Sequence, residues 1–263
     1  MYDLAVFAAL DFERRAVTDA LESVELAERP GAWRGYTADG ASCLVVQTGI
    51  GPGRARRAAE AAPPARAYLM CGCAGALVPS LGPGDLVVAD RVLPIDEQGA
   101  PLGSLAAEKG ALLAWASARG FSLHVGAIAS SPSVLDSAAA KRSAARAGAL
   151  VVEMESSAVA AVAQARRIPF VGIRVVLDVA GQEVPTALLP ASGIIDEESG
   201  RLRPVRAAAR LAPRPWLWPT CARLARQQRL AEQRLRALLA ALFGEGGSGA
   251  LGVTPAARRA ATS

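Results

Sequence analysis

Two acidic side chains stand within apolar runs in the middle of the chain. Glu155 belongs to VVEMESSAVA, which ends at Ala160, and Asp178 follows the apolar part of IPFVGIRVVLDVA, which ends at Ala180. Burying a carboxylate without partners costs several kcal/mol, so acids at the ends of such runs indicate a site rather than a core. For Glu155 the alternative is a structural one, in which it caps the helix that follows it.

Strands and helices are predicted to alternate along the chain. YDLAVFAAL predicts a buried strand, and residues 11–22 predict the helix after it. Further strands are expected over residues 43–47, 67–71, 86–89 and 122–129, and further helices over residues 104–119 and 138–147. This alternation predicts an α/β domain in which helices cover both faces of a central, largely parallel sheet.

Sites in such sheets gather where the strands end. Polar or small residues follow several of the predicted strands, namely Glu13, Thr48, Gly72, Ser130 and Asp178, with Glu155 at a strand-to-helix passage. Gly49, Gly51 and Gly53 form a glycine-rich turn between a strand and a helix, a pattern typical of an anion or ribose cradle. Close helix packing is the alternative reason for those glycines.

The composition excludes several classes of protein. Hydrophobic residues make up 52% of the chain and the mean hydropathy is +0.26, yet no apolar run reaches the ~20 residues that span a bilayer. The N-terminus has no basic leader, so we expect no signal peptide and a cytoplasmic protein. Four cysteines and one histidine lack paired ligand spacing, which predicts no metal site.

Positive charge is concentrated near the C-terminus. The net charge is +5, and residues 201–243 hold ten arginines opposed only by Glu232. Leucines recur there at helical spacing after Trp216 and Trp218, which predicts a basic amphipathic helix. We expect it to pack on the protein's own sheet or on a second subunit, with contact to anionic lipid as the alternative. No motif for reading nucleic acid is present, and none is expected as a partner.

Five segments together resemble one family. AALDFE, TGIGPGRA, CGCAGALVPSLGPGDLVVAD, VVEMESSAVA and RVVLDVA occur in this order within residues 1–185, as in the nucleoside phosphorylase superfamily, which includes purine nucleoside phosphorylases and methylthioadenosine/S-adenosylhomocysteine nucleosidases. The resemblance implies a three-layer αβα sandwich with a twisted, largely parallel (mixed) sheet, a homo-oligomer and no cofactor. We expect a catalytic domain over residues 1–200, a helical extension over 201–243 and a flexible tail over 244–263.

The resemblance also implies roles for single residues. Asp178 takes the position of the acid that meets purine N7, and Glu13 that of the group that activates the attacking water. Glu155 binds the ribose hydroxyls and Met154 packs against the sugar. Further substrate-binding positions implied in this way are Thr48, Gly51, Cys73, Ala74, Gly75 and, over the base, Val134.

Two departures from the family leave the nucleophile open. Leu177 precedes Asp178 where nucleosidases often have serine, which removes one partner of the acid. The glycine-rich strand lacks the arginine with which phosphorolytic members hold phosphate. The nucleophile is therefore water, or inorganic phosphate as a co-substrate held by Arg14, Arg15 or Arg54.

The segment after Asp178 resembles the hopanoid-associated phosphorylase family. That resemblance implies release of adenine from adenosylhopane, a lipid-linked purine nucleoside of bacterial hopanoid biosynthesis, with peripheral membrane contact through the C-terminal helix. A methylthioadenosine/S-adenosylhomocysteine nucleosidase acting on small soluble substrates is the second hypothesis. A catalytically silent nucleoside-binding or membrane-docking protein is the third, and the presence of both Glu13 and Asp178 argues against it.

Overall fold

A computed structural model describes residues 1–135, 138–182 and 192–254 of the chain. The strands in these ranges are β1 (Tyr2–Ala8), β2 (Glu22–Leu26), β3 (Ala32–Tyr36), β4 (Ser42–Gln47), β5 (Ala65–Ala76), β6 (Leu86–Pro94), β7 (Leu105–Ala106), β8 (Leu123–Ser130), β9 (Ala149–Glu153) and β10 (Phe170–Asp178). The helices are α1 (Asp11–Thr18), α2 (Pro52–Ala61), α3 (Gly110–Ala118), α4 (Ala138–Arg146), α5 (Ser156–Ala165), α6 (Pro204–Leu211) and α7 (Trp218–Leu242).

One mixed sheet contains all ten of these strands. Strand β1 pairs in parallel with β4 and β5, and β3 and β2 extend the β4 edge as antiparallel strands. On the other side β5 pairs with both β10 and β9, and the pairings of β10 with β6, β6 with β8 and β8 with β9 complete a ring. Half of the sheet therefore curls into a closed barrel.

Helices cover both faces of the sheet. Helices α1, α3 and α7 pack on one face with Leu4 and Val6 of β1, while α2 and α5 pack on the other with Ala5 and Phe7. Successive side chains of a strand point to opposite faces, so a strand buried on both faces needs an unbroken apolar run. The predicted αβα sandwich with a mixed sheet is confirmed, although five of the ten strand pairings in the described residues are antiparallel.

Some element bounds differ from the predictions. Strand β5 continues to Ala76, well past the predicted end at residue 71, because Gly72–Gly75 keep pairing with β10 and Ala76 pairs with β9. The predicted helix over 104–119 is divided into the short strand β7 and helix α3. The edge strand β2 is exposed along its whole length, so no pattern of buried residues marks it in the sequence.

The C-terminal extension is part of the same core. In α7 the second half is buried, with Leu235, Leu238 and Leu242 packed among side chains of β1, β4, β5 and β10. The chain then continues into the interior, where Ser248 and Val253 are each 1% exposed. The division of the chain at residues 200 and 243 stays a prediction. Within residues 244–254 the apolar side chains of Ala250, Leu251 and Val253 are buried in this core. Residues 255–263 lie outside the described residues.

None of the helices in the described ranges is both long and apolar enough to cross a membrane.

We expect the buried half of α7 to contribute strongly to stability. The substitution Leu235→Ala removes a fully buried side chain and should lower the free energy of unfolding by about 2–5 kcal/mol. Leu230→Ala is the matched control on the same helix, because Leu230 is 42% exposed, and it should cost less than ~0.5 kcal/mol. Urea unfolding of both variants checks this, and equal losses would contradict the placement of α7.

Candidate active site

The buried carboxylate of Glu13 joins the ends of two central strands. Glu13 lies in the first turn of α1, directly after β1, and is 2% exposed. Its Oε2 accepts hydrogen bonds from the backbone N–H groups of Ala9 (3.1 Å) and Leu10 (2.9 Å), and Oε1 accepts one from the N–H of Cys73 on β5 (2.7 Å). The three backbone donors fix both oxygens of the carboxylate at the sheet's edge.

Glycine at position 72 makes room for this carboxylate. A Cβ atom built on Gly72 would lie 2.6 Å from Glu13 Oε1 and 2.8 Å from Nη1 of Arg174. A real Cβ atom does not come that close to another heavy atom, so any larger residue would push the acid and the arginine away from β5. The glycines of β5 therefore allow side chains to lie directly on the strand.

Arg174 is the central cation of the site and is not among the predicted residues. It lies on β10, is 1% exposed, donates from Nη2 to Ser156 Oγ (2.8 Å) and pairs with the carboxylate of Glu153. The signal for it was present in the sequence, since Arg174 is the one charged residue within the apolar run IPFVGIRVVL. A charged residue in an apolar run indicates a site at Arg174 as it does at Asp178.

Glu153, rather than Glu155, supports the start of α5. The Glu153 carboxylate accepts hydrogen bonds from the N–H groups of Ser156 (2.9 Å) and Glu155 (3.0 Å), whereas Glu155 makes no side-chain capping bond. Glu155 Oε1 instead accepts the N–H of Gly51 at 2.7 Å, and Gly51 has the positive φ of 99° that favours glycine. Glu155 thus occupies the N-cap position of α5 without a side-chain capping bond, and its carboxyl joins the glycine turn to the passage between β9 and α5.

The electrostatic environment favours uncharged carboxyl groups. Burial raises the pKa of Glu13, and Arg174 lowers it in part. Burial and the neighbouring Glu153 raise the pKa of Glu155 to about 8. Burial lowers the pKa of Arg174, but Glu153, Glu155 and Glu13 outweigh that effect and keep it above its usual value. The guanidinium of Arg174 thus lies among three acidic side chains.

Asp178 lines a separate small cavity at the end of β10. The cavity has a volume of about 130 Å³ and is lined by Gly75, Ser133, Val134, Leu135, Lys141, Val152, Glu153, Met154 and Asp178. A Cβ atom on Gly75 would lie 3.1 Å from either carboxylate oxygen of Asp178, so this acid lies over Gly75 much as Glu13 lies over Gly72. Burial raises the pKa of Asp178, and the ammonium of Lys141 lowers it in part.

The two acids therefore lie over one strand. Gly72 and Gly75 are three residues apart on β5, which corresponds to roughly 10 Å along the strand. Glu13 is not among the residues that line the cavity of Asp178, so the two acids are related by their positions along β5 rather than by a shared cavity.

Two of the predicted binding residues serve the fold more than the cavity. The hydroxyl of Thr48 donates to the Gly49 carbonyl (2.8 Å) within the glycine turn. Ala74 is buried among the apolar side chains of β6 and β8 and does not line the cavity, because its side chain points away from Gly75. Cys73 contributes its backbone N–H to Glu13, and Val134 and Met154 both line the cavity.

The three arginines considered for phosphate all have acidic partners. Arg14 pairs with Asp11 at 2.9 Å and stacks on the ring of Trp33. Arg15 pairs with the same Asp11 at 3.1 Å, and Arg54 pairs with Glu197 at 3.3 Å. None of the three guanidinium groups lines the cavity of Asp178.

We expect Arg174→Met to destabilise the protein because it leaves the buried carboxylate of Glu153 without its counter-charge. Removing one partner of a buried ion pair costs about 3–5 kcal/mol, and urea unfolding should show a loss of that size. Adding Glu153→Gln to this variant should restore part of the loss. Arg15→Met is the control, since a 53% exposed side chain in a surface ion pair should cost less than ~1 kcal/mol.

Glu155 should make stability fall as the pH rises. Its pKa in the folded chain, about 8, lies above the usual value of 4.5, so the folded state keeps a proton that the unfolded state loses. This contribution is fully present below pH 4.5 and is lost as the pH rises to about 8, by up to ~1.4 kcal/mol per pH unit. Urea unfolding at about pH 5.5 and about pH 8.5 checks this. The free energy of unfolding of Glu155→Gln, relative to that of the wild type, should be higher at the higher pH. For the exposed control Glu60→Gln, the free energy of unfolding relative to the wild type should be the same at both pH values.

Known proteins share this fold and sequence pattern. Residues 3–192 match the family model of the phosphorylase superfamily. The adenine complex of a methylthioadenosine/S-adenosylhomocysteine nucleosidase from Colwellia psychrerythraea has a TM-score of 0.68 at 18% identity, covering 97% of this chain and 98% of that one.

Two further structures share the fold. The corresponding nucleosidase from Campylobacter jejuni has a TM-score of 0.65 at 19% identity, covering 90% of this chain and 98% of that one. A futalosine hydrolase mutant from Helicobacter pylori has a TM-score of 0.58 at 21% identity, covering 67% of this chain and 89% of that one. No curated protein matches the sequence. The family match spans more than half of the chain, and the protein is therefore an enzyme of the phosphorylase superfamily.

Proposed function

We propose that this enzyme cleaves the N-glycosidic bond of a purine nucleoside, with Asp178 as the acid at N7 of the base and Glu13 as the base that activates water. The observation that carries the proposal is the placement of two acids over one strand, with the buried Glu13 over Gly72 and Asp178, whose side chain is 14% exposed, over Gly75. The structural neighbours named as nucleosidases, one of them in complex with adenine, support the same chemistry.

Each acid is suited to its role by its environment. A departing purine needs a proton at N7, and a buried carboxyl with a raised pKa holds one closer to neutral pH than an exposed carboxyl does. Glu13 also has a raised pKa and is therefore a stronger base than a free carboxylate. Positive charge develops on the sugar as the bond breaks, and the acidic groups around Arg174 would stabilise it.

Glu155 fits the role of a ribose ligand. Its carboxyl accepts the Gly51 N–H, and a pKa of about 8 leaves it protonated at neutral pH. A protonated carboxyl can donate one hydrogen bond and accept others, which matches a pair of sugar hydroxyls. Met154, the preceding residue, lines the base cavity and would pack against the sugar.

The charges of the inner site support water as the nucleophile. Three carboxyl groups surround Arg174, whose guanidinium already binds Glu153 and Ser156. A phosphate dianion in this place would be repelled by the carboxylates and would find no unpaired guanidinium on Arg14, Arg15 or Arg54. We therefore propose hydrolysis rather than phosphorolysis.

A lipid-linked adenine nucleoside, adenosylhopane, is the substrate that we propose, with the protein acting at the inner face of a bacterial membrane. The supporting observation is that four large apolar side chains between the start of α6 and the start of α7 are exposed, namely Leu202, Val205, Trp216 and Trp218. Arginines occur in the same segment at positions 203, 206, 210 and 214. A segment with exposed tryptophans and arginines suits contact with an anionic membrane.

A methylthioadenosine/S-adenosylhomocysteine nucleosidase is the second candidate, because two of the structural neighbours carry that name. The two candidates are separated by measuring adenine release from adenosylhopane and from methylthioadenosine, each with and without phosphate. Release from adenosylhopane alone supports the lipid-directed function, and release from methylthioadenosine alone supports the second. Release that requires phosphate would contradict hydrolysis.

Asp178→Asn should lower kcat by about 10²–10⁴-fold, because an amide cannot supply the proton that the leaving base needs. Glu13→Gln should cause a loss of similar size by removing the base. Asp19→Asn, a change at an acid on the surface, should leave turnover unchanged. Near-normal turnover in folded Asp178→Asn protein would reject Asp178 as the acid.

A further inference from the structure

Lys141 is a buried lysine in the wall of the cavity that holds Asp178. It lies in the first half of α4 and is 7% exposed. Its Nζ donates to Asp178 Oδ2 at 3.3 Å and to the backbone carbonyl of Gln182 at 2.9 Å. An ammonium is costly to bury, so these two acceptors on the chain after β10 account for its position.

Lys141 is the charged neighbour that acts directly on Asp178. Strand β5 offers Gly75 and the thiol of Cys73, and β9 offers Glu153, whose carboxylate is already bound by Arg174. Among the described residues, no other side chain donates a hydrogen bond to Asp178. The ammonium engages Oδ2, which leaves Oδ1 to meet a ligand in the cavity.

We propose that Lys141 is a positioning residue for Asp178, holding one carboxylate oxygen so that the other meets the base of the nucleoside. This inference rests on the proposed function, in which Asp178 delivers a proton to that base. A buried aspartate with no fixed partner can turn about its side-chain bonds, and a misplacement of the order of 1 Å can cost ~10²-fold in rate.

The second acceptor of the Lys141 ammonium, the carbonyl of Gln182, also has a fixed position. The carbonyl of Gln182 is held in place in turn, because the Gln182 side chain exchanges two hydrogen bonds with Gln227 of α7, at 3.1 and 3.0 Å. Lys141 therefore connects the end of β10 to a segment that is fixed by the C-terminal extension. This arrangement gives the ammonium a defined position from which to hold Asp178.

The ammonium also acts on the titration of the acid. Burial raises the pKa of Asp178, and the ammonium of Lys141 opposes that rise. Without the ammonium the pKa of Asp178 rises further. Since a general acid must be protonated, activity would then persist to higher pH, which a merely structural loss does not produce.

The test compares Lys141→Met, Lys141→Arg and the control Arg142→Met, which removes a positive charge from the exposed neighbouring position of α4. In Lys141→Met we expect kcat to fall about 10- to 100-fold and the alkaline limb of kcat/KM to move up by about 1–3 pH units. Lys141→Arg should keep the wild-type limb and recover part of kcat. Arg142→Met should match the wild type in both.

An unmoved alkaline limb in folded Lys141→Met protein overturns the inference. NMR titration of isotope-labelled aspartate carboxyl carbons gives a second readout that needs no turnover, and it should show a higher pKa for Asp178 in Lys141→Met. If the wild type cleaves no purine nucleoside, the proposed function fails, and this titration still decides whether Lys141 controls Asp178. If Lys141→Met does not fold, the pH profile of Lys141→Arg decides. Arginine keeps the positive charge, so an alkaline limb that moves as far as the loss of this charge predicts would contradict the inference.

Discussion

The structure depends on one buried cation and the carboxyl groups around it. Arg174 lies in the interior, where an unpaired guanidinium would be too costly to keep, and it pairs with Glu153 while Glu13 and Glu155 lie within its field. These groups belong to β10, to the β9–α5 passage and to the start of α1. The charge of Arg174 is therefore paired only when these strands are correctly assembled.

The same arrangement positions the two acids that we propose as catalytic groups. Glu13 is held by three backbone N–H groups, from the two residues after β1 and from β5, so the fold itself orients this carboxylate. Asp178 lies at the end of β10, over Gly75 of the same β5. Because β5 pairs with β1, β10 and β9, this one strand sets the distance between the two groups. The glycines of β5 leave space on the strand for the two acidic side chains.

The C-terminal extension has two faces with different consequences. The second half of α7 is indispensable to the core, whereas the surface around α6 exposes Trp216 and Trp218 beside arginines. The link from Gln227 through Gln182 to Lys141 reaches from this extension to the cavity of Asp178. An extension that is built into the core can thus support the wall of this cavity although none of the side chains of α7 lines it.

The sequence by itself determined the α/β class, the apolar strands and the acids Glu13, Glu155 and Asp178, because periodicity and isolated charges in apolar runs are local signals. It could not determine that Glu153 rather than Glu155 supports α5, that Arg174 lies among three acids, or that Lys141 meets Asp178. Lys141 and Asp178 are 37 residues apart, and their contact exists only because α4 packs beside the end of β10. The tertiary structure also decided that Ala250, Leu251 and Val253 are buried, since these apolar side chains are few in the sequence and gain a role only by packing with α7 in the same core.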